Sequence, residues 1–223
     1  PRAPFDPPAA DLAKRLPDIG APGRHVVSVD LCLMRPEGID LAAPFDALSL
    51  AAARMKEGAA FVATDFRADA SGFVRWLVLN DRLDDNAAGA LAQRMVEVET
   101  YRTLALLGLP EALRLMPRTS RIERELTEIS AAMSRSKELA SDSNLLSRLT
   151  QLASDLEADT AGSAYRFGAT RAYDELVAQR LVAAGEAPLA QYPTITSFLD
   201  RRSAPAMRTC RVIEQRQEAL SQR

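Results

Sequence analysis

The residues whose types could do chemistry are Glu97, Glu99, Arg166 and Tyr173, all within runs of helical periodicity. Paired carboxylates would mean general acid–base work. Glu97 and Glu99 are two residues apart, however, and on a helix such side chains point to different faces, so they cannot act as one pair. What remains is electrostatic: a polar layer inside a helix bundle, where Glu97 or Glu99 meets Arg166 or Tyr173. Such layers fix helix register more often than they bind a ligand. Glu99 with Arg102 and Arg171 with Glu175 read as surface or inter-helix ion pairs. No residue is assigned a catalytic, cofactor-binding or metal-binding role, and no cofactor is expected.

The other nucleophiles and ligands are sparse. His25 is the only histidine and sits at the edge of a strand-like run, so a helical di-iron site built on Glu-x-x-His is excluded. One histidine and two distant cysteines, Cys32 and Cys210, make a poor zinc set, and without CxxC spacing they read as free thiols in a reducing compartment. Neither a P-loop, a GxGxxG fingerprint nor a GxSxG elbow occurs. A net charge of −2 gives no reason to expect a nucleic-acid partner. The arginine-rich run after Asp200 reads as a solvated helix face.

The elements that must position these residues divide at about Leu83. Before it lies a small α/β head. His25–Met34 alternates and is β-branched, Ala60–Arg67 and Phe73–Asn80 are strand-like, and Ala68–Gly72 between them has the Asp, Ser and Gly of a hairpin turn. The alanine-rich Leu41–Met55 reads as a helical crossover. A short helix is expected at 11–16 after a proline-rich lead. Three strands leave open edges, so further strands are expected ahead of Pro1.

After Leu83 the periodicity is helical. Asp84 or Asp85 caps a spine helix to Gly108, whose apolar stripe is Leu91, Met95, Val98 and Ala105, with Arg102 falling inside it. A shorter helix should stop before Pro117, and another should run from Arg118 to Leu139. Leu145, Leu149, Leu152 and Leu156 then make a coiled-coil-like seam in a helix reaching Ala184. The same heptad continues through polar Asp159, Ser163, Arg166, Thr170 and Tyr173. Gly185 and Pro188 end it, Thr194 or Thr196 caps the last helix, and Pro205 kinks or restarts it. The fold class is therefore α+β: a small mixed or antiparallel sheet with a covering helix at 1–83, then long helices forming a bundle or coiled coil at 84–223.

The segments Tyr165–Leu181 (YRFGATRAYDELVAQRL) and Thr194–Arg223, with APAMRTC at Ala204–Cys210, resemble the DUF3422 family of uncharacterised bacterial membrane-anchored proteins. TDFRADASGFVRWLVLND (Thr64–Asp81) and VEVETYRTLALLGLPEA (Val96–Ala112) carry the same likeness, which covers residues 26 to 223. The resemblance implies a further N-terminal portion and a C-terminal apolar membrane hairpin, both outside this chain. It implies no reaction and no catalytic residues. The expectation is a non-enzymatic part of a membrane-anchored protein, on the cytoplasmic side of a bacterial inner membrane, forming a homo-oligomer through its long helices. Two alternatives stand beside it: a regulatory domain of a transporter or channel similar in layout to CorA, and an enzyme using carboxylates and arginines.

Overall fold

The computed structural model describes residues 3–6, 11, 14, 23–134 and 139–222. Most of the short helix expected at 11–16 and half of the proline-rich lead lie outside them. Contacts divide the chain into two compact units, one of Pro1–Leu104 with Tyr173–Ser203 and one of Ala105–Ala172 with Ala204–Arg223.

The first unit is built on strands β1 (Ser28–Met34), β2 (Ala51–Met55), β3 (Ala60–Thr64), β4 (Phe73–Asn80) and the two-residue β5 (Ala187–Pro188). Their order is β1-β4-β3-β2-β5, with β1 parallel to β4 and the other pairs antiparallel. The β3–β4 connection is the expected hairpin. Asp69 accepts from the backbone N–H of Ser71 (2.8 Å) and Phe73 (3.0 Å), and Gly72 supplies the positive φ of 85° that the turn needs. Those bonds, with the nearby Arg75 guanidinium, outweigh partial burial and hold the Asp69 carboxyl below its ordinary range.

Leu41–Met55 is corrected here. Residues 39–50 are loop and turns, and Ala51–Met55 is a strand. Alanine's helix preference is worth only a fraction of a kcal/mol per residue, and tertiary packing overrides it. Ala51, Ala52, Ala53 and Met55 are all fully buried, between strands on both edges and apolar layers on both faces. A strand covered on both faces shows no alternation, so its sequence carries no period-2 signal.

Helix α1 (Asp85–Leu106) follows, capped by Asp84, which accepts from Ala87 N–H at 2.8 Å. Its stripe of Leu91, Met95 and Val98 joins Trp76, Val62 and Met55 in the main core of this unit. The last turns of α3 (Leu139–Ala184) and helix α4 (Ile195–Arg202) add Val177, Leu181, Ile195 and Phe198. Lys56, in the β2–β3 turn, donates through its ammonium to the Ala183 carbonyl (2.8 Å) and through its backbone to Ala184 (3.1 Å), so a cation closes the negative end of α3. At the start of α4, the Thr194 hydroxyl accepts from Ser197 N–H (3.0 Å) and Glu186 from Ile195 N–H (2.6 Å).

The second unit is helical, formed by α2 (Gly108–Met133), the earlier part of α3, and α5 (Ala204–Ser221). Pro117 does not stop α2, as had been expected. It lies on the exposed side next to Met116 and Arg118, where water can take the place of the lost backbone bond. Pro205 does fall where one helix ends and the next begins.

Candidate functional site

In the first unit α1 buries a charge. Glu99 is 0% exposed, and Arg102, one turn on, grips both its oxygens: Nε at 3.1 Å and Nη2 in a shorter bond, while Thr103 Oγ1 donates at 3.3 Å. The pair, read from sequence as a surface or inter-helix contact, is buried and lies within α1. The Arg102 guanidinium lies 5.0 Å from the centroid of the Phe66 ring, which stacks on Phe198 (4.9 Å) and meets Trp76 edge to face (5.4 Å). Phe66 adopts a positive φ of 55°, uncommon for a bulky residue, and its ring meets both Arg102 and Phe198. The buried Trp76 indole N–H has no hydrogen-bond partner among the described residues; the Phe66 ring is its nearest aromatic neighbour, a weak acceptor at best.

Glu97 points elsewhere on α1. It accepts from Gln93 at 2.9 Å and from Arg180 of α3 in a shorter bond. The Gln93 bond first, then Arg180, holds its carboxyl below its ordinary value of 4.5. Arg180 also lies 6.0 Å over the ring of Tyr101, which stacks on Tyr173 at 5.8 Å. Of the four residues expected to share a polar layer, Glu97 and Tyr173 are thus linked by Arg180 and Tyr101, neither of which the sequence reading singled out. Glu99 has its own partners on α1. Arg166 belongs to the second unit, where its charge adds to the effect of Arg114 in lowering the Glu111 carboxyl.

The second unit has a polar layer of its own. Arg118 Nε donates to Asp159 at 2.8 Å, and the Ser163 hydroxyl bonds the Asp159 carbonyl (2.8 Å) and lies 3.4 Å from the Gln217 amide oxygen. Ser163, Thr119 and Gln217 are each 1% exposed, and the Gln217 amide nitrogen lacks a partner among the described residues. Asp159 and Ser163 continue the leucine heptad, and Gln217 sits between Ile213 and Leu220 on the apolar face of α5. A polar residue in an apolar register is the signal that finds such a layer. Near the other end, Thr170 Oγ1 donates to the Ala105 carbonyl (3.2 Å), and a β-carbon on Gly108 would come within 2.2 Å of the Thr170 Oγ1. Arg171, expected to pair with Glu175, is bonded to Glu214 of α5. Burial pushes the Cys210 thiol up, away from the reactive thiolate form; Cys32 is also a free thiol.

Beside this layer a groove of about 1070 Å³ runs along the second unit, walled by Leu126, Ile129 and Met133 of α2 and Leu149, Leu152 and Leu156 of α3. Such a surface offers dispersion and desolvation to apolar side chains and little to a polar substrate. Among the described residues no group of three or more His, Cys, Asp and Glu side chains could hold a metal ion, and no helix is long and apolar enough to cross a membrane.

The profile of one protein family, described as a protein of unknown function, matches residues 1–223. The chain belongs to the DUF3422 family. No curated protein and no solved structure matches it. The match spans the mixed sheet and the long helices alike, so both units are part of one family's pattern.

Proposed function

We propose that this DUF3422 chain is the non-enzymatic part of a membrane-anchored protein and that it assembles with itself through its long helices. The observation that carries the reading is the apolar groove along α2 and α3. The leucine, isoleucine and methionine side chains lining it favour association, which removes apolar surface from water. The ionic groups of the long helices fit a packing role, since Glu99 is satisfied by Arg102 and Thr103 and Glu97 by Gln93 and Arg180. Two free cysteines fit a reducing compartment, which supports the cytoplasmic face of a bacterial inner membrane. The anchor itself is the apolar hairpin that the family resemblance implies outside this chain.

Light scattering over a wide concentration range tests the assembly. The expected outcome is a mass of at least two copies of the 24.3 kDa chain; a strict monomer throughout contradicts it.

A further inference from the structure

We propose that the β2–β3 turn is a sprung clasp on the end of α3. Lys56 holds the turn shut in a strained left-handed form, and withdrawal of the helix end lets it relax and frees the edge of β2. The clasp lies wholly within the first unit and does not depend on self-assembly.

The backbone supplies the spring. Lys56, Glu57 and Gly58 have φ of 51°, 58° and 82°, so three successive residues are left-handed and only one is glycine. A β-carbon in that region crowds the following carbonyl oxygen, so it is ordinarily visited by single residues and not by a run. Two backbone bonds close the turn: Gly58 N–H to the Met55 carbonyl (3.1 Å) and Ala59 N–H to that of Lys56 (3.0 Å). Glycine or asparagine at the left-handed positions would join the two strands with less strain. Strained backbone persists where its surroundings over-determine it, and it collects at switches for that reason.

The surroundings here are two anchors. On the sheet side, Arg82 Nη2 donates to the Gly58 carbonyl (3.2 Å), and the Asp81 and Arg82 N–H groups both reach the Ala59 carbonyl (3.1 and 3.0 Å). On the helix side the anchor is Lys56. Its ammonium donates to Ala183 (2.8 Å) and its N–H to Ala184 (3.1 Å), two of the last carbonyls that a helix leaves unpaired. The chain then turns through Gly185, left-handed at φ 63°, where an added β-carbon would lie 3.5 Å from the Lys56 nitrogen.

Release at Lys56 reaches the sheet through β5. Directly after Gly185, Ala187 pairs with Arg54 and Pro188 with Ala53, and Arg54 Nε donates to the Pro188 carbonyl at 3.0 Å. This two-residue strand covers the edge of β2, in which Ala51, Ala52, Ala53 and Met55 are fully buried. Loss of the Lys56 bonds therefore frees, in one local event, a turn that gains by relaxing and a strand too short to hold by itself.

The experiment is residue-resolved amide hydrogen exchange on the full chain and two variants. Lys56→Met removes the ammonium and keeps the strain. Glu57→Gly relieves strain at an exposed position and leaves both α3 bonds in place. Lys56→Met should speed exchange about tenfold or more at Lys56, Gly58, Ala59 and residues 185–187 together, while Trp76 and Leu77 of β4 keep their wild-type rates. Glu57→Gly should slow the same set roughly threefold. Faster exchange confined to Lys56, or spread equally to β4, overturns the clasp. Unchanged or faster exchange in Glu57→Gly overturns the spring and the proposal with it. If Lys56→Met does not fold, Lys56→Gln is measured under the same criteria.

Discussion

The two units solve the problem of burying charge differently. In the sheet-containing unit one carboxylate, Glu99, is fully buried but gripped by a guanidinium that itself lies over an aromatic stack. The surrounding core, with Trp76, Met55, Leu91 and Met95 fully buried, is closed. The helical unit distributes its polar groups as a layer of Asp159, Ser163 and Gln217 between two apolar clusters, and leaves one end of its leucine seam open as a groove. The closed unit gains stability from within. The helical one keeps large apolar side chains at its surface, Met133 and Leu146 among them.

The largest expected effect breaks the closed unit. Glu99→Ala leaves Arg102, whose side chain is only 16% exposed, without its carboxylate, and should cost about 3 kcal/mol. Trp76 is the only tryptophan and lies in this unit, so its fluorescence transition in urea should move. Replacing both partners, Glu99→Leu with Arg102→Met, should recover most of the loss; if it costs as much as the single change, the pair contributes more than charge balance.

Next in size is Gly108→Ala in the helical unit. The added carbon meets Thr170 Oγ1, and overpacking there should cost about 2 kcal/mol. Coupling with Thr170→Ala in a double-mutant cycle would locate the clash; strict additivity would place it elsewhere.

Gln217→Met tests the polar layer. It removes an amide nitrogen that is buried without a partner, so stability should stay within about 1 kcal/mol of the wild type or rise. A loss of several kcal/mol would mean that Gln217 is the keystone of the layer.

The smallest effect is pH-dependent. Glu97 is held below its ordinary value by Gln93 and Arg180, so its ionised form stabilises the fold above pH 4.5 and that contribution fades as pH falls through the lowered value. Both partners of the ion pair are partly exposed, which keeps the gain below about 1 kcal/mol. The stability gap between wild type and Glu97→Gln, from urea curves, should therefore close on acidification; a gap constant from pH 7 to pH 3 removes the linkage.

Much of this was legible in the sequence. Phe73–Asn80 is rich in β-branched and aromatic residues and follows a Gly-containing turn, Asp84 precedes a helical stripe, and Thr194 precedes an apolar helix face. Each of these signals is local, and each element formed where its signal lay. The misses came from long-range packing. Ala51–Met55 is a strand because β3 and β5 flank it, and Pro117 is tolerated because it faces water. Two tyrosines 72 residues apart, Tyr101 and Tyr173, stack in a unit that draws on separate stretches of chain, which no window of periodicity can reveal. Of the candidate site, the polar residues of the α3 heptad were visible, whereas their partners Arg118 and Gln217 lie on other helices.

The contrast between a closed unit and an open seam is tested most directly by hydrogen–deuterium exchange at rising protein concentration. Amides of α2 between Ile122 and Met133 should exchange more slowly as the groove fills, while those of β4 in the closed core stay unchanged. Exchange along α2 that is the same at every concentration would contradict the account.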